Sequence, residues 1–488
     1  MIGARVLVTG GTGVTGRPLV AALLAMGKEV VVLSRKPPKN DENQSHPFCT
    51  HIQGDVSQPL LGLSPEVYDA LANTVETIFH LAARTDFKGG RLEDYQEINI
   101  DGVRHAFELA KVAGAHLHHV STAFVRGDYG GIFHEDELDC GQGFRNNYEA
   151  SKFKGEQYLR EQIALHTQEN KPAVTIYRPG IILERYPSQN SVNTFGPFIF
   201  LDGIFRILLT VHRRSEQEQC VRVRGSVDGS LPFIFDDDVV EAILRIAVTA
   251  DINGRTFHLL SAGPCPNRMM EDVFNAAFGR TTACLADAES FDAIPPSPAE
   301  KIMARKTAIY DAYLDLDLRF DRSQLEVILG PDWRPAITEE ELLSAFSHYL
   351  AGKKQEERAL VLPAAEAQLI HEYFDAFLPQ YLDKQLLSGL KSLSCRFWLE
   401  ITSTTRKTLE IDHGRLASIE SGDEGTFGYQ VQPATFLQVV AGLLPPQQGF
   451  FQGDISLEGN TMEALCTATA LEEFFRTYPF TAAPAQVA

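Results

Sequence analysis

The stretch "RVLVTGGTGVTGRPLV" (Arg5 to Val20) limits the possible folds more than any other, because glycines at regular three-residue steps join a β-branched run to a helix-period run. Gly10, Gly13 and Gly16 allow a tight turn and a close backbone approach, and the helix that follows presents free N–H groups to a pyrophosphate. In this strand–turn–helix context the pattern predicts a dinucleotide site rather than an ordinary turn. Thr12 and Val14 lie in the same loop and join the expected cofactor set.

Five further runs, "EVVVLSR", "THIQGD", "TIFHLAA", "LHHVSTA" and "AVTIYRPG", read as strands apolar on both faces, with helical patterns between them. Such alternation predicts a doubly wound parallel sheet, whose ligands sit at the carboxyl ends of the strands. After the second strand come Ser34, Arg35 and Lys36, where cations would welcome the extra phosphate of NADPH and an acid would favour NAD. Asp55 and Val56 end the third strand near the expected adenine, and small Ala82 and Ala83 end the fourth. Pro179, Gly180 and Ile181 follow the sixth and complete the set.

Ser121 and Thr122 end the fifth strand, and "NNYEASKFKGEQYL" then sets Tyr148 and Lys152 four residues apart, neighbours on one helix face. A phenol with a pKa of ~10 is a poor acid–base group at neutral pH, and lowering it by two or three units needs roughly 3–4 kcal/mol. Lys152 and a positive nicotinamide are expected to supply it, while Thr122 holds a substrate oxygen against the phenol.

The chain of 488 residues is long enough for roughly three folding units. Residues 1–350 read as the sheet domain, its cofactor core mainly 1–183 and 232–262 and its smaller substrate lobe mainly 184–231 and 263–350. Polar, Ala-rich residues 351–369 read as a linker, and 370–488 as a separate α+β module with alternating strands. The acidic run Asp236 to Asp238 is expected at a helix N-terminus. His116, His118 and His119 read as ordinary strand histidines, and no metal is expected. "FGPFIFLDGIFRILLTV" (Phe195 to Val211) is too short and too charged to span a bilayer, and reads as a packed helix or an apolar pocket wall. A net charge of −20 argues against nucleic acid and acidic membrane as partners. Seven scattered cysteines and the lack of a leader ahead of the first strand predict reduced thiols in a cytoplasm.

Through "TGGTGVTG", "HLAA", "VSTAF", "YEASK" and "YRPG", residues 1–350 resemble the extended short-chain dehydrogenase/reductases. "HHVSTAFVRG", "NNYEASKFKGE" and "VTIYRPGIIL" look most like their thioester reductase and fatty acyl-CoA reductase (male-sterility-like) branch. The resemblance implies Thr122, Tyr148 and Lys152 as catalytic triad, with Lys152 also on the nicotinamide ribose and Thr122 preferred to Ser121. "GLLPPQQGFFQGDISLEGNTMEAL" is similar to the sterol carrier protein type-two module, which implies an apolar tunnel over about 370–480. The alternative is a packed core lined by Phe427, Phe436, Leu437, Phe450 and Phe451.

The resulting expectation is NADPH-dependent reduction of a hydrophobic acyl thioester, CoA- or carrier-linked, to aldehyde or alcohol. Reduction of a ketone or hydroxysteroid and a non-enzymatic NADPH-sensing lipid carrier stand as alternatives. An acyl carrier protein and a second copy of the chain are the candidate macromolecular partners.

Overall fold

The computed structural model of the chain describes residues 2–36, 43, 46–87, 91–165, 172–187, 196–211, 220–316, 318–359, 364–384, 386, 393–402 and 404–480. They form two compact units, Met1–Lys353 and Lys354–Ala488. The length prior of three is therefore one too many, because the substrate lobe is built into the first unit.

In that unit β1 (Arg5–Thr9), β2 (Glu29–Ser34), β3 (Cys49–Gln53), β4 (Thr77–His80), β5 (His116–Val120) and β6 (Val174–Pro179) alternate with helices. Four short strands follow, β7 (Ile181–Leu183), β8 (Val221–Arg224), β9 (Ser230–Leu231) and β10 (Phe233–Phe235), before β11 (Thr256–Leu259) returns to the sheet. The order is β11-β6-β5-β4-β1-β2-β3, and every pairing is parallel. Chain direction across the sheet reverses beside β1, so a crevice opens at the carboxyl ends there.

Among the described residues, the first eight α-helices of the unit are α1 (Gly16–Ala25), α2 (Pro65–Ala72), α3 (Glu93–Gln96), α4 (Gly102–Ala113), α5 (Asn147–Leu165), α6 (Pro197–Val211), α7 (Asp236–Ala247) and α8 (Asn267–Phe278). One face of the sheet packs on α1 and α7 through Leu19, Leu23, Ile243 and Ile246, and the other on α2, α4 and α5 through Leu71, Phe107 and Leu159. Each such fully buried side chain contributes about 1.5–3 kcal/mol, which is why strands apolar on both faces need helices on both.

The lobe joins β8 in parallel to β13 (Ala283–Ala286) and β9 to β12 (Cys265–Pro266). Its core gathers Phe198 and Leu201 of α6 with Phe274 of α8 and Phe346. The stretch read as packed helix or pocket wall is thus both, since Pro197, Phe200 and Ile204 also line a cavity. Asp236 to Asp238 form the first turn of α7, and Arg185 spans them, its guanidinium 2.7 Å from Asp237 and 2.8 Å from Asp238. Of the presumed linker, residues through Ala359 continue a helix from Glu339, Ala364–Glu372 is helical, and 360–363 lie outside the described residues.

The second unit is a five-stranded sheet of β14 (Cys395–Ile401), β15 (Thr405–Asp412), β16 (Arg415–Ser421), β17 (Phe427–Val431) and β18 (Ile455–Gly459), in the order β16-β15-β14-β17-β18. Only β14 and β17 are parallel. Helices cover one side and enclose an apolar cavity of about 70 Å³ bounded by Phe397, Tyr429, Phe436, Gln447 and Phe450. Of the five residues read as core, Phe427 stacks on Phe397 at 5.4 Å, Leu437 packs at the edge of the core, Phe436 and Phe450 border the cavity, and the side chain of Phe451 lies outside the described residues. Among the described residues no helix is long and apolar enough to cross a membrane.

Candidate active site

The expected cofactor residues converge on the carboxyl ends of the strands. Gly10 adopts φ +73°, and a Cβ there would come within 2.6 Å of the Ala82 nitrogen. A Cβ on Gly16 would stand 2.1 Å from the Gly10 carbonyl oxygen, so α1 starts flush against the turn. Thr12, Gly13 and Val14 span the loop between these two. This cradle, closed to side chains and headed by the N-terminus of α1, fits a dinucleotide pyrophosphate.

Ser34 donates to the Lys36 carbonyl at 2.9 Å and curls the chain after β2, leaving Arg35 and Lys36 exposed. Pro37, Pro38 and Lys39 lie outside the described residues. Asp55 follows β3 and accepts from the Ser57 nitrogen and hydroxyl, at 3.0 and 2.8 Å. Val56 is buried against Gly102 at the head of α4. Ala82 and Ala83 continue from β4. Pro179 ends β6, while Gly180 and Ile181 also border the cavity discussed next.

That cavity, of about 210 Å³, lies between the sheet and the lobe within the first unit, and Thr122 and Tyr148 form part of its wall. Thr122, fully extended at the end of β5, accepts from the Phe124 nitrogen at 3.3 Å and hydrogen-bonds the Tyr148 phenol. Lys152, buried one turn along α5, donates from Nζ to the Val120 carbonyl at 2.7 Å. Burial lowers it to about 8, against the pull of Glu156.

The phenol departs from expectation. Burial pushes Tyr148 up to about 12, opposed by the Thr122 hydrogen bond, and Glu149 adds to the rise. The Lys152 ammonium is turned to a main-chain oxygen, so these side chains alone do not acidify the tyrosine. They keep it protonated, the form that donates.

Several residues that the sequence does not flag build this site. Asn99, in a π-helical turn (Glu97–Asp101), clasps the strand exit both ways: Arg84 N donates to its Oδ1 at 2.8 Å, and its Nδ2 donates to Arg84 O at 3.0 Å. The same Nδ2 reaches Ser151 at 2.9 Å. Gly155 allows this approach of the two helices, since a Cβ there would fall 2.4 Å from the main-chain carbonyl oxygen of Asn99. Phe87 lies 5.4 Å from Tyr148 and 5.5 Å from Tyr313, ring centre to ring centre. Tyr313 in turn donates to the buried carboxylate of Glu149 at 2.5 Å. Tyr148 and Tyr313 are far apart in sequence, and no local pattern joins them.

Two of the three strand histidines are bonded within the sheet, while His119 stacks on His80 at 5.4 Å with both ring nitrogens buried and unpartnered. His116 and His118 stack at 4.1 Å, and each hydrogen-bonds a β6 side chain, Thr175 or Tyr177, at 2.8 Å.

Residues 8–242 match the family model described as "Male sterility protein". The first unit is a male-sterility-type domain. It belongs to the extended short-chain dehydrogenase/reductases, a superfamily of NAD(P)-dependent oxidoreductases, and residues 374–472 match the SCP-2 sterol transfer family. The chain is 33% identical over 251 residues to the hybrid PKS-NRPS synthetase pvhA of Talaromyces variabilis, 50% of this chain and 6% of that protein. It is 35% identical over 175 residues to a ceramide reductase of Caulobacter vibrioides, 36% and 47% of the respective chains. It thus spans less than half the length of these curated relatives. The crystal structure of the terminal R domain from the myxalamid PKS-NRPS pathway shares the fold of the male-sterility-type unit. Its TM-score is 0.59 at 21% identity, over 73% of this chain and 92% of that one.

Proposed function

We propose that the male-sterility-type unit reduces a hydrophobic acyl thioester, presented on CoA or a carrier protein, to an aldehyde or alcohol with NADPH. The observation that carries this reading is the apolar cavity ending at Thr122 and a protonated Tyr148. Bound NADPH would supply hydride to the carbonyl carbon. Thr122 orients the carbonyl oxygen, and Tyr148 donates its proton as negative charge develops there. The hemithioacetal then collapses to aldehyde and free thiol. Similarity to a PKS-NRPS synthetase supports a carrier-linked substrate.

Acyl-CoA and ketone panels test the proposal: NADPH oxidation with stoichiometric thiol release supports it, and oxidation on ketones alone supports the second reading. That second reading, ketone or hydroxysteroid reduction, draws on the likeness to the ceramide reductase and to a 3-beta-hydroxysteroid dehydrogenase of Mycolicibacterium neoaurum, 30% identical over 166 residues. The non-enzymatic carrier reading requires that neither panel be turned over.

The choice of NADPH rests on exposed Arg35 and Lys36 after β2. Arg35→Ser with Lys36→Ser is expected to raise the KM for NADPH about 10-fold or more and leave that for NADH nearly unchanged, measured by initial rates.

The second unit is proposed to hold the lipid-like substrate in its apolar cavity. A tethered site reaches effective concentrations of order mM when the tether spans the distance. Removing residues 370–488 is then expected to raise the apparent KM several-fold for long acyl chains and little for short ones. Equal changes for both would assign the unit a structural role.

A further inference from the structure

Asn267, the first residue of α8, is 1% exposed and borders the same cavity as Tyr148. Its Nδ2 donates to the Ser226 carbonyl at 2.8 Å and to the Leu314 carbonyl at 2.7 Å. Carbonyl oxygens only accept, so these two bonds fix which end of the amide is which. Oδ1 is thereby set as an acceptor, and it is buried without a partner. Buried acceptors are nearly always satisfied, because an unpaired one carries its full desolvation penalty.

One helical turn on, Glu271 borders the cavity too, one oxygen accepting from the Leu285 nitrogen at 2.5 Å. Around these two acceptors the wall is apolar, with Phe200, Ile204, Leu231, Phe233 and Phe274. An unbranched hydrocarbon chain would leave Oδ1 unpaired, whereas a chain bearing a donor would satisfy it.

Building on the thioester reading above, we propose that Asn267 is a specificity-determining residue accepting a hydrogen bond from a hydroxyl or amide N–H on the acyl chain, away from the reacting carbonyl. The substrate class is then a functionalised acyl thioester, and Glu271 disfavours chains that end in a carboxylate.

The test uses the full chain with NADPH and acyl-CoA substrates of equal length: a plain saturated chain, a series with one hydroxyl moved along it, and a series with one amide moved along it. At least one substituted member is expected to exceed the plain chain in kcat/KM by about 10-fold or more, and the series in which it occurs tells hydroxyl from amide. Asn267→Leu is expected to bring that ratio close to one. Asn267 also clasps two carbonyls, so the wild-type ratio decides if the variant does not fold. If no substituted chain surpasses the plain one, the proposal is overturned while thioester reduction stands. If no thioester releases thiol at all, the thioester reading falls and takes this proposal with it.

Discussion

Replacing Tyr148 by Phe is expected to lower kcat by about 10²–10⁴-fold while the affinity for NADPH stays within a few-fold of wild type. The variant removes one oxygen from a wall that keeps its ring: Phe87 still packs against it at 5.4 Å, and Thr122 still meets the Phe124 nitrogen. Stopped-flow turnover together with cofactor fluorescence separates the two quantities. Turnover near that of wild type would remove the phenol from the chemistry. Since Tyr148 is held near 12, it remains protonated throughout the neutral range, and any basic limb in kcat/KM should instead follow Lys152, which loses its charge as pH rises through about 8.

The second large effect concerns stability. Arg178 of β6 is fully buried, and its Nη2 lies 2.6 Å from Glu156 on α5, itself inaccessible. The guanidinium also donates to the Glu137 carbonyl at 2.5 Å, approaches His258 of β11 at 3.2 Å and covers the Phe133 ring at 4.8 Å. Arg178→Met is expected to cost about 3–5 kcal/mol, because it leaves Glu156 buried with Arg160, at 3.0 Å, as its remaining ion-pair partner. Adding Glu156→Leu should recover much of that loss. The two tryptophans make this measurable: Trp333 packs in the first unit and Trp398 lies on β14, so Trp398→Phe leaves urea unfolding of the first unit reported by Trp333.

The pair also sets a pH window. Burial would raise Glu156, but Arg178 and then Arg160 hold it down at about 2. A carboxylate lowered in the folded state contributes fully above its unfolded value of about 4.3, and the contribution is lost as pH falls toward the folded value. The wild type should therefore lose stability between those limits, and Arg178→Met should lose less there because it has less to lose.

Much of this fold is legible because parallel strands announce themselves as apolar runs and the cofactor turn demands glycine. Thr122, Tyr148 and Lys152 could be read because strand ends and a single helical turn are local. Arg178 was missed although it sits inside an apolar run, where a charge needs a partner. That partner, Glu156, belongs to a residue type common on any exposed helix face, so its type alone carries no signal. Tyr313 and Asn267 gave no signal, since their roles depend on elements more than a hundred residues from Tyr148, and an Asn at a helix start resembles a cap. The spacing i, i+4 fixes which face a lysine shares but not where its ammonium points, so the turn of Lys152 toward the Val120 carbonyl is not legible in the sequence.

The position of β11 at the border of the sheet bears on how the chain is made. Its partner β6 ends at Pro179 and β11 starts only at Thr256, so the ribosome adds the 76 residues 180–255 between them, roughly 4–15 s of elongation. During that interval the flank of β6 offers unpaired amide and carbonyl groups to any neighbouring nascent chain. A heterologous host that translates quickly and crowds its polysomes should therefore yield more insoluble product than one grown cool, where each growing polypeptide has time to find its own last strand.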